Sequence, residues 1–321
     1  MIPTSIDGTD ITGATIDGTD VQEITVDGDV VFSASQPKIY HLGGQAGSDI
    51  DDIYEYDPAT DSIAIKSATL PKNMSLLTAS VVDGKIYILG GVDSNNLHLD
   101  DIYEYDPATD SISTKSATLP QNIAFATSAS VNGKIYHFGG RDANTDPIDD
   151  IYEYDPPTDS IVTMSATLPQ NIKRASSAVV DEKIYIIAGR TTGNATTDDI
   201  YEYDPATDSI ATMSATLPQD TASGTAAAVN GKIYHLGGVN LDDIYEFDPA
   251  TDSIATKSAT LPQDIRFATS AAANGKIYHF GGFTPSLIDD ILEYDPATDS
   301  IATMSATLPS NIAFATAVTV E

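Results

Sequence analysis

The sequence predicts an all-β fold made of six repeated units, each with four strands. A phrase of the form K-I-Y-x-x-G-G occurs six times, with Ala188 replacing the first glycine once. The second glycines are separated by 47, 49, 49, 49 and 44 residues. A second phrase, DDIYEYDPATDSI in its fullest form, follows each copy of the first. No helical period appears in any unit, so the repeated element is a set of strands.

The third unit shows the four predicted strands, at 126–131, 134–140, 149–155 and 159–168. They are short, rich in β-branched and aromatic residues, and bounded by Gly, Pro, Asn and Asp. VNGK joins the first two with an Asn-Gly of hairpin type. In DPATD, proline presets φ and the leading aspartate bonds the backbone beyond it. Each unit is therefore predicted to be an antiparallel sheet.

The paired glycines, the Tyr-x-Tyr-Asp-Pro phrase and the period near 50 resemble the kelch repeat over about residues 38–320. The resemblance implies a six-bladed β-propeller over residues 38–321. Strand 313–320 is expected to complete the first blade and close the ring, which leaves no open edge there. Kelch repeats usually carry tryptophan in the fourth strand, and we expect isoleucine to fill that space between blades here. The isoleucines are Ile63, Ile112, Ile161, Ile210, Ile254 and Ile301.

Composition restricts the partners. The chain has 321 residues, with 15 Lys+Arg against 47 Asp+Glu and a formal net charge of −32. This charge argues against nucleic acid and against anionic membrane surfaces as partners. It favours a halophilic origin, because molar salt screens charge repulsion over about 3 Å. On this view the acids of the repeated phrase face solvent.

Other absences exclude whole classes of site. A chain with no cysteine has no disulfide and no thiolate metal site. No apolar run reaches the roughly 18 residues of a membrane span, and the N-terminus shows no secretory signal.

One face of the propeller is predicted to bind a ligand. Loops between strands one and two and between strands three and four are nearly constant, whereas those on the other face vary in length and chemistry. Arginine beside aromatic rings suits a carboxylate-bearing or hydroxyl-rich partner. The alternative is a set of ordinary loop residues around a water-filled channel. The candidate ligand-binding residues are Arg174, Lys173, Arg266, Phe267, Phe125, Phe314, Leu76, Arg141, Arg190 and His98.

No cofactor and no metal site are predicted. Histidine recurs at one position of the second strand, but isoleucine replaces it in two units, which favours packing over metal binding. These residues are His41, His137, His235 and His279, with Ile88 and Ile186 in the other units. A structural Ca²⁺ or other cation on the repeated aspartates is the alternative to a purely halophilic surface. The sequons at Asn73 and Asn194 permit glycosylation outside a cell.

Residues 1–37 form a separate predicted segment. Asp-Gly pairs at 7–8, 17–18 and 27–28 predict hairpin turns between strands that are too poor in apolar residues to be stable alone. The stretch VQEITVDGDVVF is similar to β segments of structural, tail-type proteins of tailed viruses of haloarchaea. The resemblance implies attachment or oligomerisation through this segment.

These observations predict a non-enzymatic function. A cysteine-free chain cannot form the cysteine-crosslinked tyrosine of kelch copper oxidases, and no hydrolase, zinc-protease or P-loop motif appears. We expect a virion attachment protein (a tail fibre, baseplate or capsid spike) acting outside the cell. Its variable face would bind a host surface protein or glycan, and residues 1–37 would bind other virion proteins in a homo-oligomer. The alternatives are an intracellular kelch scaffold in a halophile's cytoplasm and a sugar-acid epimerase or sialidase-like enzyme.

Overall fold

A computed structural model describes residues 5–6, 9–10, 23–26, 29–33 and 36–321. Residues 38–320 form six four-stranded antiparallel sheets, the blades of a propeller, as predicted. The strands of each blade follow from the innermost to the outermost. They are Thr316–Val320, Lys38–Leu42, Ile53–Asp57 and Ser62–Ile65 in blade 1; Thr78–Val82, Lys85–Leu89, Asp101–Asp106 and Ser111–Thr118 in blade 2; Thr127–Val131, Lys134–Phe138, Ile151–Asp155 and Ser160–Thr163 in blade 3; Ser176–Val180, Lys183–Arg190, Thr196–Asp204 and Ser209–Thr212 in blade 4; Thr225–Val229, Lys232–Leu236, Asp243–Asp248 and Ser253–Thr260 in blade 5; and Thr269–Ala273, Lys276–Phe283, Leu287–Asp295 and Ser300–Thr307 in blade 6.

The last strand closes the ring, as the sequence predicted. Thr316–Val320 pairs antiparallel with Lys38–Leu42, so that blade 1 is built from both ends of the propeller segment. Outside the blades, Met74–Ser75 pairs with Val92–Asp93, and Thr192–Asn194 forms a short 3-10 helix. No helix in the described part of the chain is long and apolar enough to cross a membrane.

Four short strands precede the propeller. Ser5–Ile6 pairs with Thr9–Asp10, and Glu23–Val26 pairs with Asp29–Ser33, on either side of the predicted turns at 7–8 and 27–28. The predicted turn at 17–18 lies outside the described residues, as do the other two Asp-Gly pairs themselves.

Each pair of neighbouring blades encloses its own apolar cluster, so six clusters hold the ring together. The second and third strands supply most of the buried side chains. Tyr203, for example, is fully buried in blade 4 and its ring lies edge-on to Phe138 of blade 3 at a centroid distance of 5.4 Å. The fourth-strand isoleucines pack against these clusters half-buried, as with Ile210. Isoleucine therefore takes part in inter-blade packing, as expected.

The expectation that the acids of the repeated phrase face solvent is incomplete, because these half-exposed side chains also hold the blades together. The aspartate at the end of DPATD reaches into the preceding blade, where Asp110 accepts hydrogen bonds from Ser67 N–H at 2.8 Å and Ala68 N–H at 3.3 Å. Tyr105 O–H donates to the same carboxylate at 2.9 Å. We call this arrangement the aspartate clasp. Its backbone hydrogen bonds recur at all six blade junctions, accepted by Asp61, Asp110, Asp159, Asp208, Asp252 and Asp299, and the tyrosine bond recurs at five.

The clasp needs both the turn and the charge. The clasp residue has a positive φ, 50° at Asp110, a conformation that aspartate tolerates better than most residues. Hydrogen bonds from Ala215 and Ser214 N–H lower the pKa of Asp252, although burial opposes them. The glutamate of the phrase is also bonded within its blade, since Glu104 pairs with Lys85 and Lys115. Acidity in this chain therefore serves structure as well as surface charge.

The four second-strand histidines pack between blades, as predicted. Each is only 1–2% exposed. The ring of His41 lies 5.9 Å from that of Tyr54 and 6.1 Å from that of Phe280, and His235 Nδ1 contacts Ser176 Oγ at 3.2 Å. Burial lowers the pKa of His41 and His137 to about 3 and that of His235 and His279 to about 4. In residues 36–321 no three His, Cys, Asp or Glu side chains are grouped to hold a metal ion.

One blade lacks part of the clasp, which gives a stability prediction. Phe247 stands where the other five blades have the tyrosine that donates to the clasp, so Asp252 receives only backbone hydrogen bonds from the neighbouring blade. We expect Phe247→Tyr to raise the free energy of unfolding by about 1 kcal/mol through the added hydrogen bond. Tyr203→Phe, its reverse in blade 4, should lower it by a similar amount. Equilibrium denaturation of both variants measures this change. A lower free energy of unfolding in both variants would contradict the prediction.

The buried histidines predict acid sensitivity. Their folded-state pKa lies below the unfolded value near 6.5, so the unfolded state binds protons first as pH falls. Stability should therefore be fully present above about pH 6.5 and decline towards the folded pKa. His137→Ile, which copies blades 2 and 4, should reduce that decline by about 1.4 kcal/mol per pH unit. Denaturation between pH 7.5 and 4.5 tests it, with Ile186→His expected to steepen the decline. If the free energy of unfolding falls with pH at the same rate in the wild type and in His137→Ile, the prediction is contradicted.

Candidate functional site

The variable face carries three rings of equivalent residues, one from each blade. The collar consists of the residue two positions before the innermost strand of each blade. The inner rim consists of the residue just before each collar residue. The outer rim consists of the residue that follows the second glycine of each unit. The collar comprises Leu76, Phe125, Arg174, Ser223, Phe267 and Phe314; the inner rim Ser75, Ala124, Lys173, Ala222, Arg266 and Ala313; and the outer rim Gln45, Val92, Arg141, Arg190, Val239 and Phe283.

The collar is a closed ring of six backbone hydrogen bonds. Each collar N–H donates to the carbonyl oxygen of the collar residue in the preceding blade, as from Arg174 to Phe125 at 2.8 Å, and Leu76 completes the circle by donating to Phe314 at 2.8 Å. All six residues have a left-handed φ of 57–62° although none is glycine. This conformation is costly for such side chains, so the ring of hydrogen bonds must hold it. Because only backbone atoms make the ring, each blade can carry a different collar side chain.

The rims are positioned by the glycine pair. In blade 4, Lys173 N–H donates to Arg190 O at 2.9 Å and Arg190 N–H donates to Lys173 O at 2.7 Å, which extends the pairing of the first two strands. The chain reaches this point through glycine, as at Gly140, whose φ is 101° and whose Cβ would lie 2.6 Å from Ile123 Cγ2. The repeated Gly-Gly therefore brings the outer rim against the inner rim.

Collar and rim side chains stack into one continuous cluster. The Arg174 guanidinium lies between two rings, 4.3 Å from the centroid of Phe125 and 5.0 Å from that of Phe267. Phe267 stacks on Phe314 with centroids 4.3 Å apart, and Arg141 covers Phe125 at 4.9 Å. Cation–π contacts of this kind contribute about 0.5–2 kcal/mol each. The stack holds the guanidiniums in fixed positions while the Nε–H donor of each arginine has no acceptor.

The arginines have no carboxylate partner. Within residues 36–321 every ion pair has lysine as its cation, and the Nε of all four arginines is buried without a hydrogen-bond acceptor. Burial, followed by the charges of Arg190, Arg141 and Arg266, lowers the pKa of Arg174 to about 10. Half-buried cations of one sign without partners repel each other, and their partial desolvation is costly. A bound anion would remove that cost.

The cluster surrounds a cavity of about 410 Å³, which we call the vestibule. Below it the innermost strands line a narrower channel of about 190 Å³ with small and hydroxylated side chains. Thr127 Oγ1 and Ser177 Oγ hydrogen bond across adjacent blades there at 2.6 Å. Collar side chains contribute to both spaces and mark the boundary between them.

The structure brings the ten candidate residues together. Seven line the vestibule: Leu76, Phe125, Arg174, Arg190, Arg266, Phe267 and Phe314. The other three lie beside it, with Arg141 stacked on Phe125, Lys173 paired to Arg190, and the Arg141 guanidinium 2.9 Å from His98 Nε2. Arg174 belongs to the collar, whereas Arg266 belongs to the inner rim with Lys173.

Sequence reasoning missed four polar or small residues. Gln45, Ser75 and Val239 line the vestibule. Next to them Asp49 accepts a hydrogen bond from Gln45 Nε2 at 3.5 Å, and burial raises the pKa of its carboxyl despite hydrogen bonds from Ser75 and Gln45. Superposing the six units on their second glycine would have placed Gln45 and Val239 in the outer rim beside Arg141 and Arg190. The selection of charged and aromatic types alone passed over them.

Comparison with known proteins agrees with this architecture. Residues 29–238 match the family described as the KLHDC2/KLHL20/DRC7 Kelch-repeats domain. The chain is also similar to a solved structure titled "Structure of YjhT", with a TM-score of 0.68 and 17% sequence identity. The match covers 84% of this chain and 98% of that one. At this identity the likeness concerns the fold alone.

Proposed function

Because the chain belongs to the KLHDC2/KLHL20/DRC7 Kelch-repeats domain family, we propose that it is a recognition propeller whose vestibule binds a carboxylate-bearing group on a partner protein or glycan. The observation that carries the proposal is the cluster of four arginines without carboxylate partners at the mouth of a chain with a net charge of −32. Charge alone would not concentrate all four arginines on one face. A fork-shaped guanidinium matches a planar carboxylate through paired hydrogen bonds.

The surroundings of the arginines add shape to the charge. Phe267 and Phe314 offer stacked rings beside Arg174, so an apolar or flat ligand surface can pack there while its carboxylate meets the guanidiniums. Gln45 and Ser75, on the blade 1 and blade 2 side, can hydrogen bond hydroxyl or amide groups. The vestibule therefore suits an amphipathic acidic group at the end of a larger partner.

The overall negative charge affects which partners approach. Repulsion by the remaining surface slows the encounter with a uniformly acidic molecule, and salt weakens that repulsion. A single acidic group on an otherwise neutral or basic partner meets less repulsion. Binding in molar salt therefore requires the close, partly buried contacts of the vestibule.

A virion role remains a prediction that depends on residues 1–37. Its support is geometric, because Lys38 and Val320 lie at the ends of their strands remote from the vestibule. A leader that continues from this end would attach the propeller with its vestibule facing away from the attachment point. The halophilic origin and the action outside a cell are also proposals. The alternative to the virion role is an intracellular scaffold.

Two arginine substitutions test the binding proposal. Arg174→Gln combined with Arg266→Gln should weaken binding of glucuronate, or of a neutral peptide with one glutamate, at least about tenfold, since a charge-assisted hydrogen bond contributes about 1.5–3 kcal/mol. Lys72→Gln with Lys85→Gln changes the net charge equally outside the vestibule and should leave affinity nearly unchanged. Titration calorimetry measures both variants, with the methyl ester of glucuronate as the uncharged probe. Equal weakening by both double variants, or equal binding of the ester, would contradict the proposal.

The leader prediction has its own measurement. The mass in solution of the full chain and of residues 36–321 should be compared in molar salt. An oligomeric full chain and a monomeric, folded propeller would support attachment through residues 1–37. Two monomers of equal stability would exclude self-assembly through this segment and favour the scaffold alternative.

A further inference from the structure

Lys173 differs from every other lysine of the chain. The sequence contains eleven lysines, and ten of them form ion pairs with Asp or Glu at 2.5–2.9 Å. The pairs raise the pKa of several, such as Lys85 and Lys134, mainly through hydrogen bonds to Glu104 and Glu153. Lys173 is the one lysine without such a partner in the described residues, all eleven lysines being among these.

Its surroundings disfavour the charged form of the amine. Lys173 is only 9% exposed, in the inner rim beside the vestibule. Burial and then the charges of Arg174, Arg141 and Arg190 lower its pKa, while Asp146, an exposed carboxylate, has a smaller opposite effect. Its backbone is fixed by two hydrogen bonds to Arg190. A lysine that is desolvated and set among other cations is the arrangement that activates an amine as a nucleophile.

We propose that Lys173 is a nucleophilic amine that forms an imine with an aldehyde or ketone carried by a small anion, which the vestibule arginines hold. The inference rests on the proposed anion-binding function and adds a covalent step to it. The uncharged amine attacks the carbonyl carbon and forms a carbon–nitrogen bond. The carbonyl oxygen then leaves as water with the two amine protons, and an uncharged imine remains. No oxidant, reductant or other reactant is consumed.

Two features of the vestibule favour such a ligand over a simple carboxylate. The arginines supply the anion site, and Lys173, although not itself a lining residue, adjoins two residues that line the cavity, Arg174 in sequence and Arg190 through the backbone pair. The other inner-rim cation, Arg266, is always protonated and cannot act as a nucleophile. A ligand with a reactive carbonyl next to an anionic group therefore finds in blade 4 both an amine for its carbonyl and guanidiniums for its anionic group.

Reductive trapping tests the inference on the full chain. Pyridoxal 5′-phosphate, an anionic aldehyde, is added at pH 7 with cyanoborohydride, and labelled peptides are quantified by mass spectrometry. We expect Lys173 to be labelled at least about tenfold more than any other lysine, because the uncharged fraction of an amine rises about tenfold for each unit by which its pKa falls. Lys173→Arg should abolish this label, whereas Lys72→Arg should leave it unchanged. Labelling spread evenly over the paired lysines would overturn the proposal.

A second comparison separates this inference from the anion site. Pyridoxal without its phosphate should label Lys173 several-fold less, and Arg174→Gln should reduce the label from the phosphate form more than the label from pyridoxal, since losing the charge of Arg174 raises the pKa of the amine for both. Equal labelling by both aldehydes, unchanged in Arg174→Gln, would overturn delivery by the arginines. Reversible binding of pyridoxal 5′-phosphate that is lost in the arginine variants, without trapping at Lys173, would overturn the reactive amine and leave the anion site standing.

Discussion

The six collar hydrogen bonds fix the geometry on which the variable face depends. They connect each blade to the next near the axis and hold six non-glycine residues in a left-handed conformation. Since the connection uses N–H and carbonyl groups alone, it makes no demand on side-chain identity. A phenylalanine, a leucine, a serine and an arginine can all occupy the same backbone position. The constant backbone therefore permits a variable face on a repeated fold.

The aspartate clasp also joins neighbouring blades, but it does so towards the outer part of the propeller. Here the side chain itself makes the connection between blades, so aspartate is retained in all six units. The two connections explain the pattern of the sequence. Where a side chain joins blades the phrase is repeated almost letter for letter, and where the backbone joins them the residues are free to differ. The collar side chains can therefore change without loss of the ring.

Much of the fold could be predicted from the sequence, because spacing and turn residues repeat six times. The closing strand, the half-buried isoleucines and the packed histidines all followed from comparing one unit with the next. The clasp could not be predicted in this way, because Asp110 and Ser67 lie 43 residues apart and no periodicity shows which acid reaches the neighbouring blade. All of the ten candidate residues except Leu76 have a cationic or aromatic side chain, and that character is what singled them out. That criterion could not separate collar from rim, and it passed over Gln45, Ser75 and Val239.

Blade 1 takes its innermost strand from residues 316–320 and its other three from residues 38–65. During translation, the three strands within residues 38–65 are made long before the innermost strand, residues 316–320, leaves the exit tunnel of the ribosome. The sheet formed by Lys38–Leu42 must then wait with one edge unpaired, which is the kind of edge that recruits other chains. Closure of the ring therefore has to await the synthesis of residues 316–320, and the long separation of the paired strands favours slow closure.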